Sequence, residues 1–273
     1  MSDLSRSIIS DGKLDWSPDQ EMSSLQGEIS LTSLQEYDPD ALCLIADNRR
    51  GYYLIKRLID FSGALILLVL LSPLLVLIAI AILIYSPGPI FFVQERVGAK
   101  RQSRNNHSYW KKVNFPCYKF RTMKINADPS IHQAYVTALI ENDQDKMQSI
   151  QGELSQIHKL VHDTRITRPG ALLRKLSLDE LPQLWNVLCG DMSLVGPRPA
   201  IPYEVEIYKP WHRQRLTAQQ GLTGWQQVTA RCLGDFDQQV RLDIEYIEKQ
   251  SIWLDIKIIL RTPLAVFSAR GAH

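Results

Sequence analysis

The sequence predicts an α-rich α+β chain, in which a re-entrant, kinked and non-spanning membrane helix carries a cytosolic domain with interfacial helices and small strand elements. Three observations predict it. Residues 61–94 contain no Asp, Glu, Lys, Arg or His, a run of a length that suits lipid better than a soluble core. Basic residues flank that run on both sides, and Ser72-Pro73 interrupts its middle. Beyond it, short segments of alternating polarity give way to longer ones of helical period.

Residues 1–48 hold ten Asp/Glu against two Lys/Arg and show no sustained apolar period, so an acidic, disordered tail is expected. With a formal charge of +2 overall, the remaining 225 residues carry about ten net positive charges. A basic body suits nucleic acid, anionic lipid or phosphorylated substrates alike. Cys43, Cys117, Cys189 and Cys232 are far apart and form no CxxC, which fits a reduced compartment better than a disulfide framework or a zinc site. Residues 1–30 lack a basic stretch followed by an apolar one, so no cleavable signal is expected.

Residues 49–90 make the membrane unit. Phe61 to Tyr85 is 25 residues, roughly 37 Å of helix and ample for a ~30 Å hydrocarbon core. Pro73 removes a backbone donor near the middle and leaves halves too short to cross alone. Arg49, Arg50, Lys56 and Arg57 precede the run, and Arg96, Lys100, Arg101, Arg104, Lys111 and Lys112 follow it. Positive charge marks the cytoplasmic side, so a helix that enters, breaks at Ser72-Pro73 and returns satisfies both flanks. Lys56 and Asp60 share a helix face, either as an interfacial ion pair or as holders of a lipid phosphate.

Residues 91–273 make the cytosolic domain. FFVQERVG (91–98) and CYKFRTM (117–123) alternate as short half-buried strands do. Residues 130–162 are polar and helix-prone. His158 and His162, with Asp163 nearby, lack a third strong ligand, so a solvated helix end is expected there. DTRITRPGALLRK (163–175) sets Arg165, Arg168, Arg174 and Lys175 ahead of Ser177, as a solvated loop or as an anion pocket at the next helix N-terminus. Two C-terminal helices follow. One carries Val240, Ile244 and Ile247; the other carries Ile252, Trp253, Ile256, Ile259 and Leu260, as core or as a face in the membrane interface. Asp235-Phe236-Asp237 reads as a helix cap.

Between these, KLSLDELPQLWNVLCGDMSLVGPRP (175–199) spaces Leu181, Leu184, Trp185 and Leu188 as one apolar helix face, ended by Gly190. Ser177 to Glu180 matches a capping box, with Pro182 in the first turn. Asp179 and Glu180 then either complement the helix dipole or supply a nucleophile and a Mg²⁺ ligand beside a bound phosphate. Arg198, between Pro197 and Pro199, is a stiffly mounted guanidinium able to grip a diphosphate.

This stretch closely resembles the signature of the bacterial sugar transferase family, the monotopic polyprenyl-phosphate phosphoglycosyl transferases. Lys56 to Asp60 (KR-x-x-D), Ser72-Pro73, GPIFFVQERVG (88–98), YKFRTM (118–123), DTRITRPGALLRK (163–175) and GLTGWQQVTAR (221–231) match as well. The resemblance covers roughly residues 52–268. It implies transfer of a sugar 1-phosphate from a UDP-sugar to undecaprenyl phosphate, with release of UMP. Such a reaction starts a lipid-linked glycan of the exopolysaccharide, capsule or O-antigen type. On the matching positions, Asp179 would form a covalent phosphosugar intermediate and Glu180 would bind Mg²⁺. Arg198, with Pro197 and Pro199, would contact the nucleotide. Lys56, Arg57, Asp60, Arg121, Arg165 and Arg174 are further substrate-binding candidates.

The expected setting is the cytoplasmic face of a bacterial inner membrane, with membrane lipid as a partner, no nucleic acid, and a homo-oligomer left open. GLTGWQQVTAR and the helices after it lean towards a hexose such as glucose or galactose. One departure stands out: residues 99–117 are longer and more basic than the family's usual turn. The alternative reading is a non-catalytic membrane adaptor on the same scaffold.

Overall fold

A computed structural model describes residues 38–45, 49–104, 107–125, 130–151, 165–229 and 235–267. His158, His162 and Asp163, and all but the end of the acidic tail, lie outside the described residues. Within the segment expected to be a tail, strand β1 (Ala41–Ile45) is formed and pairs with a later strand.

Helix α1 (Arg50–Tyr85) is a single element of 36 residues, about 54 Å at ~1.5 Å per residue. Ser72 and Pro73 lie inside it and do not divide it into two helices. The reason is local. Proline at 73 deprives the Val69 carbonyl of its usual partner four residues on. The Ser72 hydroxyl donates to that same carbonyl at 2.8 Å, so no backbone acceptor is stranded where water is scarce.

The helix has two faces. Its outer face exposes Leu58, Ile66, Val69, Leu70, Leu77 and Ile84, and α1 is long and apolar enough to cross a membrane by length and composition. Its inner face packs on the folded body along its whole length. Ala64, Leu68 and Leu71 join the main core with Leu184, Val187 and Ile258. Ile78 and Ile82 pack near the other end with Phe120 and Leu173.

Strands β2 (Phe91–Arg104) and β3 (His107–Phe120) form one antiparallel hairpin of 14 residues a side, in register from Phe91↔Phe120 to Arg104↔His107. The unusual 99–117 segment is therefore an extension of the hairpin. The sheet order is β1-β3-β2. Pro116 is tolerated in the central strand because β1 reaches only Ser108 to Lys111. The vacated edge is filled by Asn186, which donates to the Pro116 carbonyl at 2.7 Å and accepts from the Tyr118 amide at 3.1 Å.

The remaining elements are short until the end. They are α2 (Ser130–Glu141), α3 (Gln144–Gln151), α4 (Arg168–Lys175), a 3₁₀ turn (Leu178–Glu180), α5 (Gln183–Cys189), β4 (Ser193–Val195) and α6 (Pro202–Glu206). A second 3₁₀ turn (Pro210–Leu216), β5 (Gly221–Thr223) and α7 (Trp225–Thr229) follow. Helices α8 (Phe236–Glu248) and α9 (Ile252–Phe267) close the chain's described part. Asp235 caps α8, accepting from the Gln238 amide at 2.6 Å, as its position in the sequence predicts. Val240 of α8 is buried, whereas the α9 stripe is divided. Of its residues Ile259 packs against the core, Ile252 and Ile256 are half-buried, and Trp253 and Leu260 stay exposed, while Ile258, outside the stripe, is fully buried.

Candidate active site

The two carboxylates do not sit in a capping box. Ser177 has φ 54° and makes no side-chain cap, and Leu178–Glu180 forms a separate 3₁₀ turn before α5 begins. Pro182 occupies the junction, where its missing donor costs little. Gly190 ends α5 with φ 86°, as predicted. Trp185 is 54% exposed and leaves the face that Leu184 buries. The separate turn sets Glu180 against Lys119, near the end of β3, with Asp179 beside it on the same turn.

Glu180 is held from two sides. Lys119 of β3 reaches its Oε1 at 2.8 Å and Arg198 at 3.3 Å. Arg198 is positioned by backbone contacts that only glycine permits. Gly221 donates to the Pro197 carbonyl at 2.8 Å, Gly196 donates to Thr223 at 2.9 Å, and a Cβ on Gly221 would lie 2.0 Å from the Gly196 nitrogen. Arg96 of β2 lies buried behind them and donates to the Pro199 carbonyl at 3.0 Å and to Gln94 at 2.8 Å. Among the described residues, its Nε and the Oε1 of Gln227 are buried without a hydrogen-bond partner. Both residues line the cleft that contains Glu180 and Arg198. A guanidinium donor and an amide acceptor left open in one cleft are what a polar ligand would satisfy.

Burial raises the Asp179 carboxyl above the ordinary range, and the Glu180 charge raises it further against the opposing pull of Lys119, Arg174 and Arg198. Local desolvation and then the charges of Arg96, Arg165, Arg174 and Arg198 lower the imidazole of His132, an exposed residue on α2, below its ordinary range. His132 is therefore neutral at physiological pH, with Nδ1 3.2 Å from the Tyr203 hydroxyl. Cations thus converge on this cleft, and Arg174, which donates to Thr122 Oγ1 at 2.8 Å, belongs among them.

The donor set suits a small hard cation. Two neighbouring carboxylates raise each other's proton affinity, which a divalent ion relieves, and Mg²⁺ ordinarily takes one or two carboxylates plus phosphate oxygens and water. Among the described residues no group of three or more His, Cys, Asp or Glu could hold a metal, so water and phosphate oxygens would complete the ligand count.

Other candidates lie elsewhere. Lys56 is buried and pairs with Asp255 at 2.9 Å, not with Asp60. Asp60 accepts from the Leu194 amide at 2.9 Å. Arg57 donates to the Val187 and Leu188 carbonyls at 2.7 and 2.8 Å, capping α5. Arg121 donates to the Ser86 and Pro87 carbonyls at the end of α1. The Arg165 carbonyl accepts from Lys124 at 2.9 Å, and its charge bears on His132. Sequence reading named Arg96 only as part of the basic flank, held Lys119 and Gln227 only within matched motifs, and did not single out His132. Arg96 and Lys119 lie in strand segments whose alternation was visible, but which strand positions face the carboxylates is set by the hairpin's docking.

The profile described as bacterial sugar transferase matches residues 51–269. The chain is 36% identical over 225 residues to an undecaprenyl-phosphate galactose phosphotransferase of Salmonella typhimurium, covering 82% of this chain and 43% of that protein. It is 34% identical to a UDP-glucose:undecaprenyl-phosphate glucose-1-phosphate transferase of Escherichia coli, covering 81% and 42%. It is 35% identical to the exopolysaccharide production protein ExoY of Rhizobium meliloti, covering 80% and 88%. The chain thus spans less than half the length of the first two relatives and most of the third.

Proposed function

Because the chain belongs to the bacterial sugar transferase family, we propose that it transfers a sugar 1-phosphate from a UDP-sugar to undecaprenyl phosphate and so begins assembly of a membrane-linked glycan. The observation that carries this reading is the pair Asp179–Glu180 on one turn, with Glu180 gripped by Lys119 and Arg198.

The chemistry follows from these groups. The Asp179 carboxylate attacks the sugar-bearing phosphorus of the donor; a bond from its oxygen to phosphorus forms as the bond to the bridging oxygen breaks. UMP leaves with that electron pair, and a phosphosugar remains on Asp179. A phosphate oxygen of undecaprenyl phosphate then attacks the same phosphorus and releases the Asp179 carboxylate. Lys119, Arg198 and the buried Arg96 offset charge on the diphosphate as it develops. Glu180, beside Asp179, would hold Mg²⁺, which when bound supplies further charge neutralisation on the phosphate oxygens. Burial, and then the Glu180 charge, raise the Asp179 carboxyl above the ordinary aspartate range, and it attacks in its ionised form.

The membrane reading draws on α1. Its inner face stays on one folded body from Lys56 to Ile82, which supports both ends remaining on the cytoplasmic side of an inner membrane. The outer face of α1 and the exposed Phe91, Phe92, Trp253 and Leu264 would meet lipid.

The test is UMP release from a panel of UDP-sugars by detergent-purified protein with Mg²⁺ and undecaprenyl phosphate. UMP from one donor, glucose or galactose being the expected sugars, supports the reading and names the donor. No UMP from any donor with folded protein would overturn it in favour of a non-catalytic adaptor.

A further inference from the structure

A cavity of about 320 Å³ lies at the N-terminal end of α1, and none of its lining residues lines the cleft that contains Glu180 and Arg198. Four of its lining side chains, Lys56, Arg57, Lys100 and Arg101, are cationic, against the single carboxylate of Asp60. Lys56 and Lys100 are matched outside the lining by Asp255 at 2.9 Å and Asp191 at 2.6 Å. Arg57 is different. Its hydrogen bonds go to backbone carbonyls, which satisfy its donors without cancelling its charge. Arg101 is exposed and, among the described residues, pairs with no carboxylate; its guanidinium lies 5.7 Å from the Tyr53 ring centroid. The cavity therefore keeps a positive excess.

Its walls join two parts of the fold. Tyr53 and Arg57 come from α1, while Lys100, Arg101 and Trp110 come from the extended part of the β2–β3 hairpin. Tyr53 meets Trp110 edge-on at 5.4 Å and donates its hydroxyl to Gln250 at 3.1 Å. On the opposite side of the same turns, Leu54 and Leu58 are 69% and 68% exposed. The cavity thus opens where the apolar face of α1 starts. A guanidinium over an aromatic ring at that level is the chemistry that receives a phosphate headgroup beside an acyl chain.

We propose that this cavity is an anion site for a phosphate-bearing ligand, separate from the catalytic cleft and walled by the extended hairpin, with an anionic phospholipid headgroup as its occupant. Inorganic phosphate or a soluble phosphate ester shares the chemistry and is the other source. The lipid source rests on the proposed membrane setting of α1; the anion site does not.

Thermal unfolding of the full chain in uncharged detergent tests it, with dihexanoylphosphatidylglycerol, dihexanoylphosphatidylcholine and inorganic phosphate as probes. The anionic lipid should raise the midpoint by about 3 °C at tenfold excess over its dissociation constant, and the zwitterionic lipid should not. Arg101→Glu should abolish the response with the unliganded midpoint unchanged, and Arg198→Ala, which alters the catalytic cleft, should retain it. Gln102→Glu, another exposed hairpin position lining the cavity, should weaken it too and covers a poorly folded Arg101→Glu. An equal Arg101-dependent shift with inorganic phosphate supports the anion site and assigns it to a free anion. A response insensitive to both hairpin variants, one lost in Arg198→Ala, or no response to any probe overturns the proposal.

Discussion

Lys56 meets Asp255 at 2.9 Å and Lys119 meets Glu180 at 2.8 Å, yet the two pairs do different things. In the first, the side chains are 7% and 5% exposed. Tyr52 and Tyr246 donate to the two Asp255 oxygens at 3.0 and 2.7 Å. Asp255 is thus saturated, and the network ties the entry of α1 to α8 and α9. In the second, Lys119 and Glu180 are 16% and 20% exposed, and Arg198, 46% exposed, shares the same oxygen. Open polar atoms of Arg96 and Gln227 line the same cleft. Similar ion-pair geometry gives an anchor where the surroundings complete every bond, and a site where they do not. The lesson is to weigh what remains unsatisfied around a pair rather than its distance.

The largest break in this comparison is Asp179→Asn. It leaves both networks intact and should lower UMP release on the order of 10⁴-fold, measured beside an unchanged unfolding midpoint; appreciable turnover would remove Asp179 as nucleophile. Next is Lys56→Met, which strands Asp255 in the interior and should cost about 3–5 kcal/mol of stability. The double variant Lys56→Met with Asp255→Leu should regain much of that in thermal unfolding. Lys119→Met breaks the partner pair in the open site. It should cost about 1 kcal/mol or less of stability but slow UMP release by roughly 10²-fold.

The smallest and sharpest test is pH. Burial and the Glu180 charge raise the Asp179 carboxyl, so the rate should fall on acidification earlier than an ordinary aspartate would allow. Glu180→Gln removes the neighbouring charge and should move that acid limb to lower pH in a pH–rate profile. Stability moves the opposite way. A carboxyl raised in the fold favours the folded state below its unfolded pKa, and that advantage is lost as pH rises through the folded value. Ionising Asp179 therefore weakens the fold locally.

The sequence alone shows most of the local grammar. Gly190 as the end of α5, Asp235 as a cap and the uncharged run from residue 61 to 94 follow from short-range rules, because capping and hydrophobic length depend on neighbours in the chain. Motif resemblance brought Asp179, Glu180 and Arg198 into one site, and the structure does place Glu180 and Arg198 in contact.

Tertiary structure decided the rest. The Ser177–Glu180 capping box gave way to a separate turn because Glu180 finds stronger partners in Lys119 and Arg198 than in its own helix end. Lys56 turned from Asp60 to Asp255, which is 199 residues away in the chain. Residues 99–117, read as longer and more basic than the family's usual turn, include strand from both sides of the hairpin, because 99–104 and 107–117 pair in register. A helix cap is worth about 1 kcal/mol and an i,i+4 pair roughly 0.2–0.5 kcal/mol. A buried charge or an unpaired backbone group costs more than that, so long-range partners invisible in the linear chain prevailed.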